Sequence, residues 1–284
     1  MKAVMSMTLG VMTAIGGFVD IGNLVTSGIT GARFGMTLTW AVLVGTIGMA
    51  LFAEMAGRVT AVTRKPIFHV VRERLGVRVS LVNTAASTLL NVLTLAAELG
   101  GVSLVLQMAT GISYLIWVPL AGLAAWLVIW RMPFGWMENI FGLLGLGLVV
   151  FVSFFAATFA ATAECALSSG YSVAQYMGWS WGKRHPPGAA ARFHLVCLAS
   201  VIAATAFTLT TIDPVTITIF AVVLGAAAVP LTYFPILIVA NDARLMGERV
   251  NRRWANAAGS FFLTVMAVVS LASLPLLLLT KAGQ

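Results

Sequence analysis

Long apolar runs separated by short basic blocks fill this chain, and that alternation decides what it can fold into. A helix needs about 20 predominantly apolar residues to cross a bilayer. Eight segments qualify: 6–30, 37–57, 82–109, 113–130, 139–172, 193–212, 215–240 and 258–280. They leave no room for a soluble domain, so residues 1–284 read as a single membrane domain, all-α, a polytopic helix bundle. Only 9% of the residues are charged, against about a quarter in soluble proteins. This excludes collagen, disordered chains, secreted disulfide scaffolds and cytosolic enzymes. Cys165 and Cys197 lie in or beside apolar segments, so neither a disulfide framework nor a thiolate metal cluster is expected. Lys2 precedes an apolar stretch without a small-residue cleavage site, which runs on through Asp20 and Asn23 and reads as a span, not a signal peptide.

The net charge of +8 sits in the blocks between spans, the pattern of cytoplasmic loops and not of a nucleic-acid binder. Residues 58–78 carry Arg58, Arg64, Lys65, Arg72, Arg74 and Arg78 against Glu73 and belong inside. The expected location is the plasma (inner) membrane, with the N-terminus cytoplasmic and the Arg131 loop also inside. Two further basic loops follow, with Lys183, Arg184 and Arg192, then Arg244, Arg249, Arg252 and Arg253. If 139–172 crosses once, both fall outside, against the charge rule. An odd number of crossings is therefore missing between about 150 and 160.

Polar groups inside the spans point to function, because charge at bilayer depth is costly. In the first span, Asp20, Asn23, Ser27 and Thr30 share one helical face. Glycines at 16, 17, 22 and 28 lower helix stability, so the backbone could open there and expose carbonyls. A carboxylate, an amide and freed carbonyls suit a hard divalent cation; the alternative is a helix–helix hydrogen-bond cluster around small residues. The third span carries Thr84, Ser87, Asn91, Thr94 and Glu98 three or four residues apart. Glu98 is a candidate proton carrier, with a structural ion pair or interhelical hydrogen bond as the alternative. The fifth span adds Glu164, Ser168, Tyr171 and Gln175. Ser27, Asn91, Thr94, Glu164, Tyr171 and Gln175 form the candidate pore-lining set.

Other polar residues read as structural. Glu54 lies four residues before Arg58, the spacing of a local ion pair, and Glu138 is interfacial. His69, His185 and His194 show no ligand spacing and receive no site. Trp117, Trp126, Trp130, Trp136, Trp179 and Trp181 sit near span ends as interfacial anchors. No hydrolase, metalloprotease or phosphate-loop motif occurs, so transport is the better reading than an enzyme.

The first span followed by Gly31-Ala32-Arg33-Phe34-Gly35, with Trp40 beyond, resembles the Nramp family of divalent-metal transporters, whose first helix carries Asp-Pro-Gly-Asn. The similarity continues through Glu54 to Arg58, Thr94 to Glu98, Met132 to Glu138, Asp213-Pro214 and Asn241 to Asn251, covering most of 5–150 and 160–255. The resemblance implies that Asp20 and Asn23 are metal ligands, that Asp20 also handles protons, and that Glu98 lies on the proton route. It implies a LeuT-like inverted-repeat architecture, with its site between broken first and sixth helices. It implies no resident cofactor, and a divalent metal of the manganese, iron or magnesium class moved with protons or the membrane potential.

Three departures stand out. Ile21 replaces the motif's proline, and Val222 stands where many members have a glutamine. No segment resembles the sixth helix, whose methionine would favour soft metals; the overall pattern is closer to branches that handle magnesium. Residues 139–155 look like the start of the fifth helix and 158–182 like the eighth, leaving the second repeat incomplete. Three crossings are then absent, the odd number that the basic loops require. Three functions follow as expectations: a metal transporter, an inactive truncated remnant or interaction partner of one, or another LeuT-like carrier, for example of amino acids.

Overall fold

A computed structural model of the protein describes residues 21–132, 150–183, 185–210 and 212–279. Among these the regular elements are all helical: α1 Ile21–Phe34, α2 Thr39–Thr63, α3 Ile67–Thr110, α4 Tyr114–Arg131, α5 Val150–Met177, α6 Ala191–Thr208, α7 Pro214–Ala240, α8 Ala243–Met246 and α9 Arg253–Leu279, with a 3-10 turn at Gly247–Arg249. Among the described residues six helical stretches are long and apolar enough to cross a membrane: Thr39–Thr63, Ile67–Thr110, Tyr114–Arg131, Ala191–Thr208, Pro214–Ala240 and Arg253–Ser273.

Local chemistry sets several of the helix limits. Proline at the first helical position costs no hydrogen bond, and α7 starts at Pro214. The Asp213 carboxylate beside it accepts the Thr216 amide at 3.0 Å, an N-cap. The Asp213-Pro214 pair is thus a helix-start signal. Much of the basic 58–78 stretch is helical rather than loop. The turn is confined to 64–66, where Arg64 adopts a left-handed conformation (φ 53°) and its amide closes on Thr60. Within α3 the backbone breaks at Gly76 (φ 84°, ψ 169°), a region open mainly to glycine. The break separates an amphipathic segment, 67–75, from the long apolar helix 77–110.

The chain forms two compact units. One comprises the described parts of 1–27, 91–174 and 179–222, with a core that includes Leu95, Leu99, Ile129, Phe193, Cys197 and Ile217. There α4 and α6 approach closely at Gly122, where an added Cβ would lie 2.6 Å from Thr205 Oγ1. The other comprises the described parts of 28–90, 175–178 and 223–284, built on Phe52, Met55, Val59, Val71, Ile236 and Val239. Phe52 stacks on Tyr233 at 4.3 Å. Exposed Trp40, Leu43 and Ile47 on α2 and Phe261, Val268 and Leu271 on α9 form apolar surfaces suited to lipid.

Buried hydroxyls are satisfied mostly within their own helices. Ser103 donates to Leu99 O at 2.7 Å, Thr162 to Thr158 O at 2.8 Å and Thr218 to Pro214 O at 2.8 Å. Such back-bonding suits helices in hydrocarbon, where an unsatisfied polar group costs several kcal/mol.

Candidate functional site

The centre of the site is the buried turn of α3 that holds Glu98. Residues Leu95 to Gly100 are all buried, and the Glu98 side chain is fully enclosed. Its Oε1 accepts the main-chain N–H of Ile21 at 2.9 Å. This bond ties the acid of the third span to the motif of the first, 77 residues away in sequence. Ile21 is itself buried, and its side chain fills the space at Gly101 that a Cβ would need. At Gly100 an added Cβ would come within 2.8 Å of Pro214. The glycine pair after Glu98 therefore lets Ile21 of α1 and Pro214 of α7 close onto α3. Thr208 adds a crossing bond from α6, its Oγ1 lying 3.0 Å from Ala96 O.

Asp20, Gly16 and Gly17 lie outside the described residues. Asn23 and Ser27 are exposed on α1, and Thr30 is half-buried. The expected opening at Gly22 and Gly28 does not occur, because α1 runs through both positions as continuous helix. A glycine costs roughly 1 kcal/mol in a helix interior, too little by itself to break one. Thr26 moreover donates back to Gly22 O at 2.6 Å.

The stripes of the third and fifth spans meet. Asn91 Nδ2 donates to Ser168 Oγ at 3.1 Å, and Thr84 is buried while Ser87 and Thr94 are half-buried. Glu164 is exposed on α5 and Gln175 is half-buried. Tyr171 lines a cavity with the loop after α5, beside Lys183 and His185, the latter a residue to which the sequence assigned no site. Glu54 pairs with Arg58 at 2.8 Å, as its spacing predicts. Val222, where the resemblance led us to expect a glutamine, is exposed. Among the described residues no group of three His, Cys, Asp or Glu could hold a metal ion.

Sequence reasoning missed the donor role of Ile21. The signal was the departure itself: a proline there has no N–H, whereas isoleucine supplies the one that Glu98 takes.

The model of the Nramp family, described as "Natural resistance-associated macrophage protein-like", matches residues 10–159 and 146–275. The chain belongs to the Nramp family. The two matched stretches overlap at 146–159, next to the region where the basic loops led us to expect missing crossings. Two relatives are each named "Divalent metal cation transporter MntH". That of Verminephrobacter eiseniae is 35% identical over 106 residues, 37% of this chain and 23% of the relative. That of Staphylococcus haemolyticus is 28% identical over 146 residues, 50% of this chain and 32% of the relative. The chain thus spans under a third of the length of the Nramp relatives it matches. Among solved structures, the Eremococcus coleocola manganese transporter bound to an aromatic bis-isothiourea substituted compound aligns with TM-score 0.57 at 15% identity, covering 94% of this chain and 85% of that one. A mutant of the same transporter aligns with TM-score 0.53 at 14% identity, covering 93% and 85%. These likenesses establish the shared LeuT-like helical fold, and with the apolar helices they make this Nramp chain an integral membrane protein.

Proposed function

We propose that the protein is a secondary transporter of divalent metal cations of the manganese, iron or magnesium class. Asp20 and Asn23 act as first-helix ligands, and protons or the membrane potential drive the metal. Asp20 alternates between metal and proton, and Glu98 relays the proton. The observation that carries this reading is the 2.9 Å bond from Ile21 N–H to the buried Glu98 carboxylate. Ile21 follows Asp20 directly in the sequence, so on this reading Glu98 also positions the backbone beside the ligand. Asn91 and Ser168, hydrogen-bonded to each other, extend the polar stripe along α3 and α5.

The test is metal uptake into proteoliposomes by the full chain and by Asp20→Ala, with metal binding measured in detergent. Asp20-dependent uptake supports transport, and uptake equal to that of empty vesicles in both overturns it. Two variants then dissect the Ile21 contact. Ile21→Pro removes the N–H donor, while Glu98→Gln keeps an acceptor oxygen but cannot carry a proton. Metal binding that survives Glu98→Gln and weakens in Ile21→Pro supports the positioning role.

The overlap of the family match at 146–159 favours a second reading, an abbreviated form lacking the sixth and seventh helices that binds metal without moving it. Metal bound with parental stoichiometry but no flux is its signature.

A further inference from the structure

A cavity of about 540 Å³ lies in the first unit, lined by Tyr171, Trp179, Ser180, Trp181, Lys183 and His185. Apart from Tyr171, which the sequence places in the candidate pore-lining set, its residues take no part in the transport reading. Its neighbours are helix ends: α5 stops at Met177, α6 starts at Ala191, and α4, which stops at Arg131, offers the Val128 carbonyl to Lys183 Nζ at 3.1 Å. An ammonium has three donors, so two of the Lys183 hydrogens are left beyond that carbonyl. The loop is pinned by the Lys183 main-chain N–H, which donates to Tyr171 Oη at 3.3 Å. With its oxygen accepting, the Tyr171 hydroxyl retains its own proton to donate. Trp181 meets Tyr171 edge-on at 5.6 Å, and the Arg192 guanidinium lies over Trp179 at 5.3 Å.

The charge of this lining is one-sided. Lys183 and His185 are its titratable bases, Arg192 stands beside it, and among the described residues no carboxylate lines it. Among the described residues no salt bridge reaches Lys183. Half-burial pushes the Lys183 ammonium down to about 8, a desolvation cost that a bound anion would offset. Tryptophans at helix ends beside basic residues mark the headgroup level of a bilayer, and Trp126 stacked on Trp130 at 5.0 Å, with Arg131 over that ring at 4.7 Å, repeats the pattern at the end of α4.

We propose that this cavity binds a phosphate group, that of an anionic phospholipid headgroup, with Lys183 and Tyr171 donating to its oxygens and Trp179 and Trp181 walling the glycerol end. The test titrates the purified full chain in detergent with dioctanoyl phosphatidylglycerol, dioctanoyl phosphatidylcholine or inorganic phosphate, following tryptophan fluorescence. Phosphatidylglycerol should give a saturable change that Trp181→Phe diminishes, at least tenfold tighter than either of the other two. Lys183→Gln should weaken it at least tenfold, while Lys183→Arg, which keeps the charge, should stay within threefold. Gel filtration of each variant shows that it remains folded. An unchanged affinity in Lys183→Gln, or no saturable change with any of the three, overturns the site. Equal affinity for inorganic phosphate overturns the lipid assignment.

Discussion

In the unit built from 91–174 and 179–222, Glu98 is fully buried and takes the amide hydrogen of a residue 77 positions away. In the unit that contains 28–90 and 223–284, three acids meet bases. Glu54 pairs with Arg58 at 2.8 Å, Glu73 with Lys65 at 2.8 Å and His69 at 3.0 Å, and Asp242 with Arg74. Arg58 also donates to Arg249 O at 2.7 Å and Asn251 Oδ1 at 2.6 Å, clamping α2 to the segment after α8. Charge at helix ends is thus neutralised by nearby bases and fixes architecture. An acid enclosed among apolar side chains and held by a backbone amide is a different device, one whose protonation changes what it can hold.

That contrast is most severely tested at Glu98. Glu98→Ala should reduce metal uptake at least a hundredfold and weaken metal binding at least tenfold. Glu98→Gln should leave binding within about threefold while abolishing the accompanying proton flux, read with a pH-sensitive dye inside the vesicles. Equal effects of both substitutions on binding would break the distinction between positioning and proton transfer.

The acids of the second unit should affect stability and leave transport per folded molecule intact. Asp242 also caps α8, accepting the Arg244 amide at 2.9 Å. Asp242→Ala should therefore cost about 1–2 kcal/mol, seen as a melting temperature lower by several degrees, and Asp242→Asn, which keeps a capping oxygen, less. Arg58→Ala, which loses two further acceptors, should cost about 1–2 kcal/mol. Glu54→Gln should cost under about 0.5 kcal/mol, because that carboxylate is 59% exposed and exposed pairs contribute little. Equal melting shifts for the two substitutions would show that the pair, not the clamp, carries the effect.

A further effect, a pH dependence of stability, belongs to Lys183. Its ammonium is pushed down from 10.5 to about 8 by burial. Between these values the unfolded chain binds more protons than the folded one, so stability rises with pH over that window and the penalty is fully present below it. Melting temperatures measured from pH 7 to 10.5 should show this rise, and Lys183→Gln should flatten it.

The same contrast explains what could be read without coordinates. The membrane-helix character was legible because hydrocarbon demands long apolar runs, of which six stand as long helices among the described residues, and the Glu54–Arg58 pair because four residues make one helical turn. The polar stripes on α3 and α5 were legible as stripes, and Asn91 meets Ser168 as their shared spacing allows. The partner of Glu98 was not legible, since a main-chain amide has no side-chain signature and a contact across 77 residues depends on packing. Continuity through Gly22 and Gly28 was misjudged because local propensity, at about 1 kcal/mol per glycine, is weaker than the hydrogen-bond ladder it opposes. The cavity at Lys183 was invisible for another reason: Tyr171 belongs to α5 by periodicity, and folding back of the following loop gives it a second set of neighbours.

The hydroxyls of Ser103, Thr162 and Thr218, each returned to a carbonyl one turn earlier, bear on how the protein is made. A segment whose polar side chains are already satisfied can leave the translocon and enter lipid alone, before its neighbours are synthesised. Glu98 and Asn91 reach to other helices, so their shielding must wait for assembly. Docking of the helices is then the step at which those two side chains gain their partners.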